Sequence, residues 1–293
     1  MSPGELSPDV QRRLRQVFGK ASKDKADSVY EPRAEVGIPG FDEIIGGGFP
    51  KGRVISVSGE SGAGKTIFCS QFLWNGITKF GENGLYVSMD ENRNHYDWEM
   101  NQFGWNFSSA EKDGKFSFVD ASPIRAMPGE AKIGKLTIGR QDFSLLSLLE
   151  LIRNNAKAID AKRIVIDPVS MLIFQYPDET QRRKAMLDVV EAMAETGATC
   201  LLAADLFFGF GMPDSMADLA EALRSILRNN IMEINAPVAL VHGTIIMETV
   251  AEGRTMERII RVGKMRGMQI DRQPRPYRIT EKGIEIYSRE SVI

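Results

Sequence analysis

The 293-residue chain is long enough for one large domain or two small ones, and 43% hydrophobic and 26% charged residues suit a globular protein with a sizeable core. Lys and Arg number 37 against 39 Asp and Glu, which excludes a global basic excess of the nucleic-acid-binding kind and leaves only local patches. Cys69 and Cys200 stand far apart in apolar surroundings and read as buried free thiols; with His95 and His242 the only histidines, a structural zinc site is excluded.

At the amino end, "MSPGELSPDVQRR" lacks the apolar core of a secretory signal, and no run in the chain nears ~20 apolar residues. A cytoplasmic protein without a membrane span is expected. Residues 1–30 read as a helical arm and linker. Ser7, Pro8 and Asp9 are helix-start signals, Val10, Leu14, Val17 and Phe18 form one stripe, and "GKASKDKADS" is polar. Residues 31–293 read as a single α/β domain. Strand-like runs at 53–59, 85–91, 116–122, 163–169 and 198–205 alternate with helical patterns at about 65–79, 92–104, 142–157 and 178–196. That alternation predicts βαβ units around a mostly parallel twisted sheet flanked by helices. Beyond a helix at about 215–233, "GTIIMETV", "ERIIRVGKMRG" and "YRITEKGIEIY" predict an antiparallel strand extension at one edge.

The segment "GESGAGKT", Gly59 to Thr66, follows the first strand and opens the first long helix, the context that a phosphate-binding loop requires. Gly59, Ser61, Gly62, Ala63, Gly64, Lys65, Thr66 and Ile67 are the expected nucleotide contacts. Backbone N–H groups converge on phosphate oxygens there, and the helix start adds partial positive charge. Lys65 should reach the β- and γ-phosphates, and Thr66 should ligate Mg²⁺. Asp167, ending the apolar run "RIVID", brings a carboxylate to the same sheet edge for the metal. Mg-ATP or Mg-GTP is therefore the expected ligand. Asp90 and Glu91 end the next strand and can polarise an attacking water. The competing reading is an acidic pair favouring the dipole of the helix that starts near Asn92.

Several of these motifs together resemble the KaiC group of RecA-fold ATPases. They are "VGIPGFDEIIGGGFPKGRVISVSGESGAGKT", the acidic pair, "FGWN", "VIDPVS" and "KMRG", in that order from about Val36 to Tyr287. The resemblance implies a RecA-like P-loop fold, a preference for ATP and a homo-oligomeric ring, expected to be a hexamer. It implies that Lys65 and Thr66 contact phosphate and Mg²⁺, that Asp167 is the metal-side carboxylate and that Asp90 and Glu91 are the catalytic pair. It also implies that Lys264 and Arg266 reach the γ-phosphate of the neighbouring subunit, with Arg258 and Arg272 flanking them at the same interface. On a strand, i and i+2 share a face, so Lys264 and Arg266 should point the same way. Two departures stand out. Asp90 occupies a position where the group mostly has Glu, which predicts slow turnover. The clock protein's phosphoryl-accepting Ser-Thr pair is here Ala239 and Leu240, which rules out autophosphorylation at those positions.

The same fold serves DNA recombinases. From Asp205 to Leu223 the chain carries no Lys or Arg but four carboxylates, Asp205, Asp214, Asp218 and Glu221, which argues against a polyanion. "LFFGFGMP" holds more large apolar groups than an exposed loop carries, and reads as packing at a subunit contact or under the next helix, with a docking site for an unidentified protein partner and membrane contact as the alternatives. "FGKA", Phe18 to Ala21, has the F-x-x-A form with which RadA-type recombinases hook adjacent subunits. The expected function is a slow, ring-forming ATPase acting as a nucleotide-driven switch or scaffold. A RadA-related DNA-repair ATPase and a platform that hydrolyses little are the alternatives.

Overall fold

The computed structural model describes residues 32–121, 131–133, 136–138, 145–173, 176, 178–205, 240–252 and 255–290. The N-terminal arm with Phe18 to Ala21, the apolar loop 206–212, the helix expected at 215–233 and Ala239 lie outside the described residues. In chain order the first elements are β1 (Arg33–Ala34), α1 (Phe41–Ile44), β2 (Phe49–Pro50), β3 (Val54–Gly59) and α2 (Lys65–Asn75), which runs on as a π-helical turn (Gly76–Phe80). Then come β4 (Gly84–Ser88), α3 (Arg93–Gln102), α4 (Phe107–Lys112), β5 (Phe116–Asp120), β6 (Ala131–Ile133), β7 (Leu136–Ile138) and α5 (Leu145–Ala158). They are followed by β8 (Arg163–Asp167), α6 (Ser170–Ile173), α7 (Glu179–Glu195), β9 (Thr199–Asp205), β10 (Gly243–Glu252), β11 (Thr255–Met265), β12 (Arg275–Thr280) and β13 (Gly283–Ile286).

Strands β3, β4 and β8 are buried along their whole length, as parallel strands covered by helices on both faces must be. They belong to a nine-stranded sheet of order β13-β12-β11-β10-β3-β9-β8-β4-β5. From β10 to β5 neighbouring strands run parallel, and β11, β12 and β13 add antiparallel pairings at one edge. This corrects one expectation. "GTIIMETV" is not purely part of the antiparallel set, because Gly243 to Met247 pair in parallel with Ile55 to Gly59 before the chain turns back. The helix α4 was also not foreseen. It is six residues long, capped by the Asn106 side chain accepting from the Ser109 amide at 2.9 Å.

Alternation along the strands divides the core. Ile55, Val57 and Val165 pack with Phe68, Phe72, Tyr96 and Phe107 on the α2–α3 side, while Val54, Ile164 and Ile166 pack with Leu148, Ile152, Val189 and Met193 on the other. Cys69 and Cys200 are free and buried, as expected. At the amino end of the sheet Arg163 is wholly buried and donates to Glu82, to the Phe72 carbonyl and to the Glu35 carbonyl, each at 2.7 Å. Its guanidinium also lies 4.4 Å from the Phe72 ring centre. With Thr78 donating to the Trp74 carbonyl at 2.7 Å, side-chain donors reach two carbonyls of α2 just where it widens into the π turn. Arg163 thereby ties α2 to β8 and fixes the base of the helix whose other end opens the phosphate loop.

Candidate nucleotide-binding site

The loop between β3 and α2 is shaped by glycine. Gly62 and Gly64 have φ of 82° and 88°, which L side chains rarely adopt, and a Cβ on Gly64 would lie 2.9 Å from Ile279 Cδ1. Gly64 caps α2 without a side-chain hydrogen bond, so the first amides of the helix face the loop. The antiparallel extension clamps the loop from behind. Tyr277 Oη donates to the Ala63 carbonyl, and the Thr249 amide donates to Glu60 Oε1 at 2.8 Å. Lys65 Nζ donates to the carbonyls of Gly59 and Glu60, both at 2.9 Å, and lies 3.3 Å from Asp205 Oδ1.

Residues at the carboxyl ends of β4, β8 and β9 face this loop across a cleft of about 350 Å³. Ser61, Gly62, Gly64, Lys65, Thr66 and Ile67 form one wall, while Gly59 and Ala63 sit behind it, with their carbonyls taken by Lys65 and Tyr277. Asp90, Glu91 and Asp167 lie on the opposite side. Asp167 is buried and accepts from Tyr86 Oη at 2.8 Å. Burial pushes its carboxyl above the ordinary range and Asp205 adds to that, while hydrogen bonds from Thr66 and Tyr86 and the Lys65 ammonium oppose it. A buried carboxylate beside a threonine hydroxyl is a hard-oxygen donor set that fits Mg²⁺. Among the described residues no cluster of three or more His, Cys, Asp or Glu is ready to hold a metal. The remaining ligands would therefore be phosphate oxygens and water, the usual mode for this ion.

Ser88 fixes the turn carrying Asp90 and Glu91, donating through Oγ to the Glu91 carbonyl at 2.6 Å and accepting from its amide at 3.0 Å. Asp90 is exposed and Glu91 half-buried. Burial raises the Glu91 carboxyl, and the charges of Glu99 and Asp167 raise it further, against a smaller opposing effect of His95. Asp90 and Glu91 stand just ahead of the cap of α3, outside its first turn. The cap of α3 is Asn92, whose side chain accepts from the His95 amide at 3.1 Å, and the first turn holds no acidic residue.

The cations fall elsewhere. Lys264, next to last in β11, lies opposite Thr244, which pairs with Ser56, so it stands toward the amino end of β3 and away from the loop. Its ammonium donates to the Val241 carbonyl at 2.8 Å, and burial followed by the neighbouring Arg266 holds its pKa below the ordinary value. Arg266, exposed, donates its amide to the His242 carbonyl at 2.9 Å. Arg258 does not flank this pair in space. It pairs with Thr249 at the loop end of the hairpin, close enough to the buried Tyr277 for its charge to act on that hydroxyl. Arg272 is exposed on the connection between β11 and β12.

The family model described as "ATPase: KaiC" matches residues 34–291. The chain belongs to the KaiC ATPase family. A UPF0273 protein of Pyrococcus horikoshii is 33% identical over 258 residues, covering 87% of this chain and 94% of its own. The circadian clock oscillator protein KaiC of Synechococcus elongatus is 30% identical over 250 residues, 85% of this chain but only 43% of its own length. The crystal structure of a KaiC-like protein from Pyrococcus horikoshii superposes with a TM-score of 0.66 at 28% identity, covering 87% of this chain and 99% of that one. The architecture is RecA-like, and KaiC-family membership carries nucleotide binding in general. Among the described residues no helix is long and apolar enough to cross a membrane.

Apart from Pro168 inside "VIDPVS", four cleft residues of this KaiC-family chain were not singled out from the sequence: Tyr86, Ser88, Glu99 and Ile279. Nothing local marks them, since each reaches the cleft through a pairing or a helix orientation. A fifth, Asp205, did carry a signal. It ends an apolar strand just as Asp167 does, yet was weighed only as part of an acidic stretch.

Proposed function

We propose that this chain binds Mg-ATP in the cleft between the phosphate loop and the β4, β8 and β9 ends, and hydrolyses it slowly within a homo-oligomeric ring, expected to be a hexamer. The nucleotide state of the ring would switch its affinity for a protein partner. The observation that carries this reading is the meeting of Lys65, Thr66, Asp167, Asp90 and Glu91 around one cleft of about 350 Å³. In it Lys65 and the first amides of α2 bind the phosphates, and Thr66 and Asp167 hold Mg²⁺. When bound, the ion neutralises phosphate charge. Glu91, with Asp90 beside it, accepts a proton from the water whose oxygen attacks the γ-phosphorus. The bond from the γ-phosphorus to the bridging oxygen breaks, its electron pair leaves with ADP, and the proton passes from the carboxylate to solvent. Lys264 and Arg266 would come from the next subunit.

Steady-state ATP hydrolysis, with and without saturating single-stranded DNA at low salt, tests the reading. A slow, Mg²⁺-dependent rate indifferent to DNA is expected. A severalfold rise with DNA would place the chain among recombination ATPases, and no turnover at all would leave only a binding platform.

A further inference from the structure

The Lys65 ammonium donates to the Gly59 and Glu60 carbonyls and forms an ion pair with Asp205 at 3.3 Å, so three partners surround it. Asp205 is the charged one of these three partners. It ends β9 directly beside Gly59, where the loop leaves β3, so its carboxylate stands at the mouth of the cradle. Its other oxygen accepts from the buried Ser170 hydroxyl at 2.8 Å, which keeps the carboxylate turned toward the loop. The Lys65 side chain is 10% exposed, so its charge is largely desolvated and this partner matters to it.

We propose that Asp205 sets the choice between nucleoside triphosphate and diphosphate in this cleft, which rests on the nucleotide-binding reading above. With a diphosphate, loop amides and the start of α2 carry much of the β-phosphate charge, so Lys65 can touch it and still keep Asp205 as a partner. A γ-phosphate needs the same ammonium and adds negative charge next to a fixed carboxylate. Asp205 therefore weakens the triphosphate selectively and makes the diphosphate a strong competitor. Turnover is then held back by product competition, because ADP occupies the cleft at the expense of ATP.

Isothermal titration of the wild-type chain, Asp205→Asn and Ser170→Ala decides the matter. Each is titrated with ATP and ADP in EDTA, and with ADP and a non-hydrolysable ATP analogue in Mg²⁺. In EDTA, Asp205→Asn should tighten ATP about tenfold, ~1.4 kcal/mol, and ADP less than about threefold. Ser170→Ala, which loosens the carboxylate without removing it, should move ATP in the same direction by about two- to threefold. Equal tightening of both nucleotides overturns the inference, as does no change. Weakened binding of the analogue confined to Mg²⁺ also overturns it and makes Asp205 a metal ligand. Binding of neither nucleotide by the wild-type chain overturns the underlying reading and this inference with it.

Discussion

The placement of Lys264 and Arg266 makes a sharp claim about how many chains build one active site. Lys264 pairs with Thr244, Thr244 with Ser56, and the loop begins three residues further along at Gly59. At ~3.3 Å per residue along the strand and ~4.8 Å per strand across the sheet, Lys264 and Gly59 lie about 14 Å apart before the loop is counted. The Lys264 ammonium is also already directed to the Val241 carbonyl, toward the opposite end of the sheet. Lys264 is thus directed away from the loop of its own chain, which supports the proposal that the pair serves the cleft of a neighbour. The double variant Lys264→Ala/Arg266→Ala should lose on the order of 10³-fold in turnover, the range for a cation supplied in trans, while binding ATP within about threefold of wild type. Asp90→Asn/Glu91→Gln should be inactive for the opposite reason, with its own cations intact. Mixed in equal amounts and reassembled, the two dead proteins should recover activity. If subunits distribute at random, roughly one boundary in four joins an intact carboxylate pair to intact cations, so about a quarter of the wild-type rate should return. Phosphate release measured on the mixture checks this. Rates that merely add, or a double variant that stays active, would refute the trans assignment.

Separating the carboxylates should show Glu91 as the stronger base: Glu91→Gln should lower kcat about 10²-fold or more, and Asp90→Asn less. Equal retention of rate in both would rule out a carboxylate base at this turn. Burial, Glu99 and Asp167 raise the Glu91 carboxyl, and a base works only when deprotonated, so activity should disappear as pH falls through that raised value. Glu99→Gln removes one of the raising charges and should shift this acid limb of kcat to lower pH; an unmoved limb would show that Glu91 is not the group titrating. Stability should depend on Arg163. Truncation to Ala leaves the buried Phe72 carbonyl without its donor and Glu82 with Lys51 as its remaining partner, and should cost about 2–3 kcal/mol in urea unfolding. A loss below about 1 kcal/mol would mean water takes over those contacts.

The glycine loop at Gly59–Thr66 and the buried Asp167 that faces it across the cleft were legible because each is carried by a few consecutive residues whose strand context is equally local. The order of the sheet was not. β10 was read as antiparallel because "GTIIMETV" runs straight into a hairpin partner. Its parallel pairing depends on contacts such as the His242 amide donating to the Val54 carbonyl at 2.9 Å, across almost the whole length of the domain. Periodicity carries no information about a partner that distant. Tyr86, Glu99 and Ile279 were missed for the same reason.

Lys264 and Arg266 show how a local argument can single out a pair and still miss what orients it. Strict alternation along β11 would place Lys264 on the side of Ile260 and Val262, both buried in the core that packs on α2. The ladder instead shifts between Thr244 and Ile245: Lys264 pairs with the first and Val262 with the second, leaving Gly263 as the extra residue of a bulge. One inserted residue reverses the facing of everything after it. Met265 then enters the core, and Lys264 moves to the side of Arg261, which is itself held by Glu248 at 3.1 Å. A cation proposed to serve a neighbouring subunit has to leave its own core, and Gly263 makes that turn where a side chain would crowd Ile246, with a Cβ only 3.1 Å from its Cδ1.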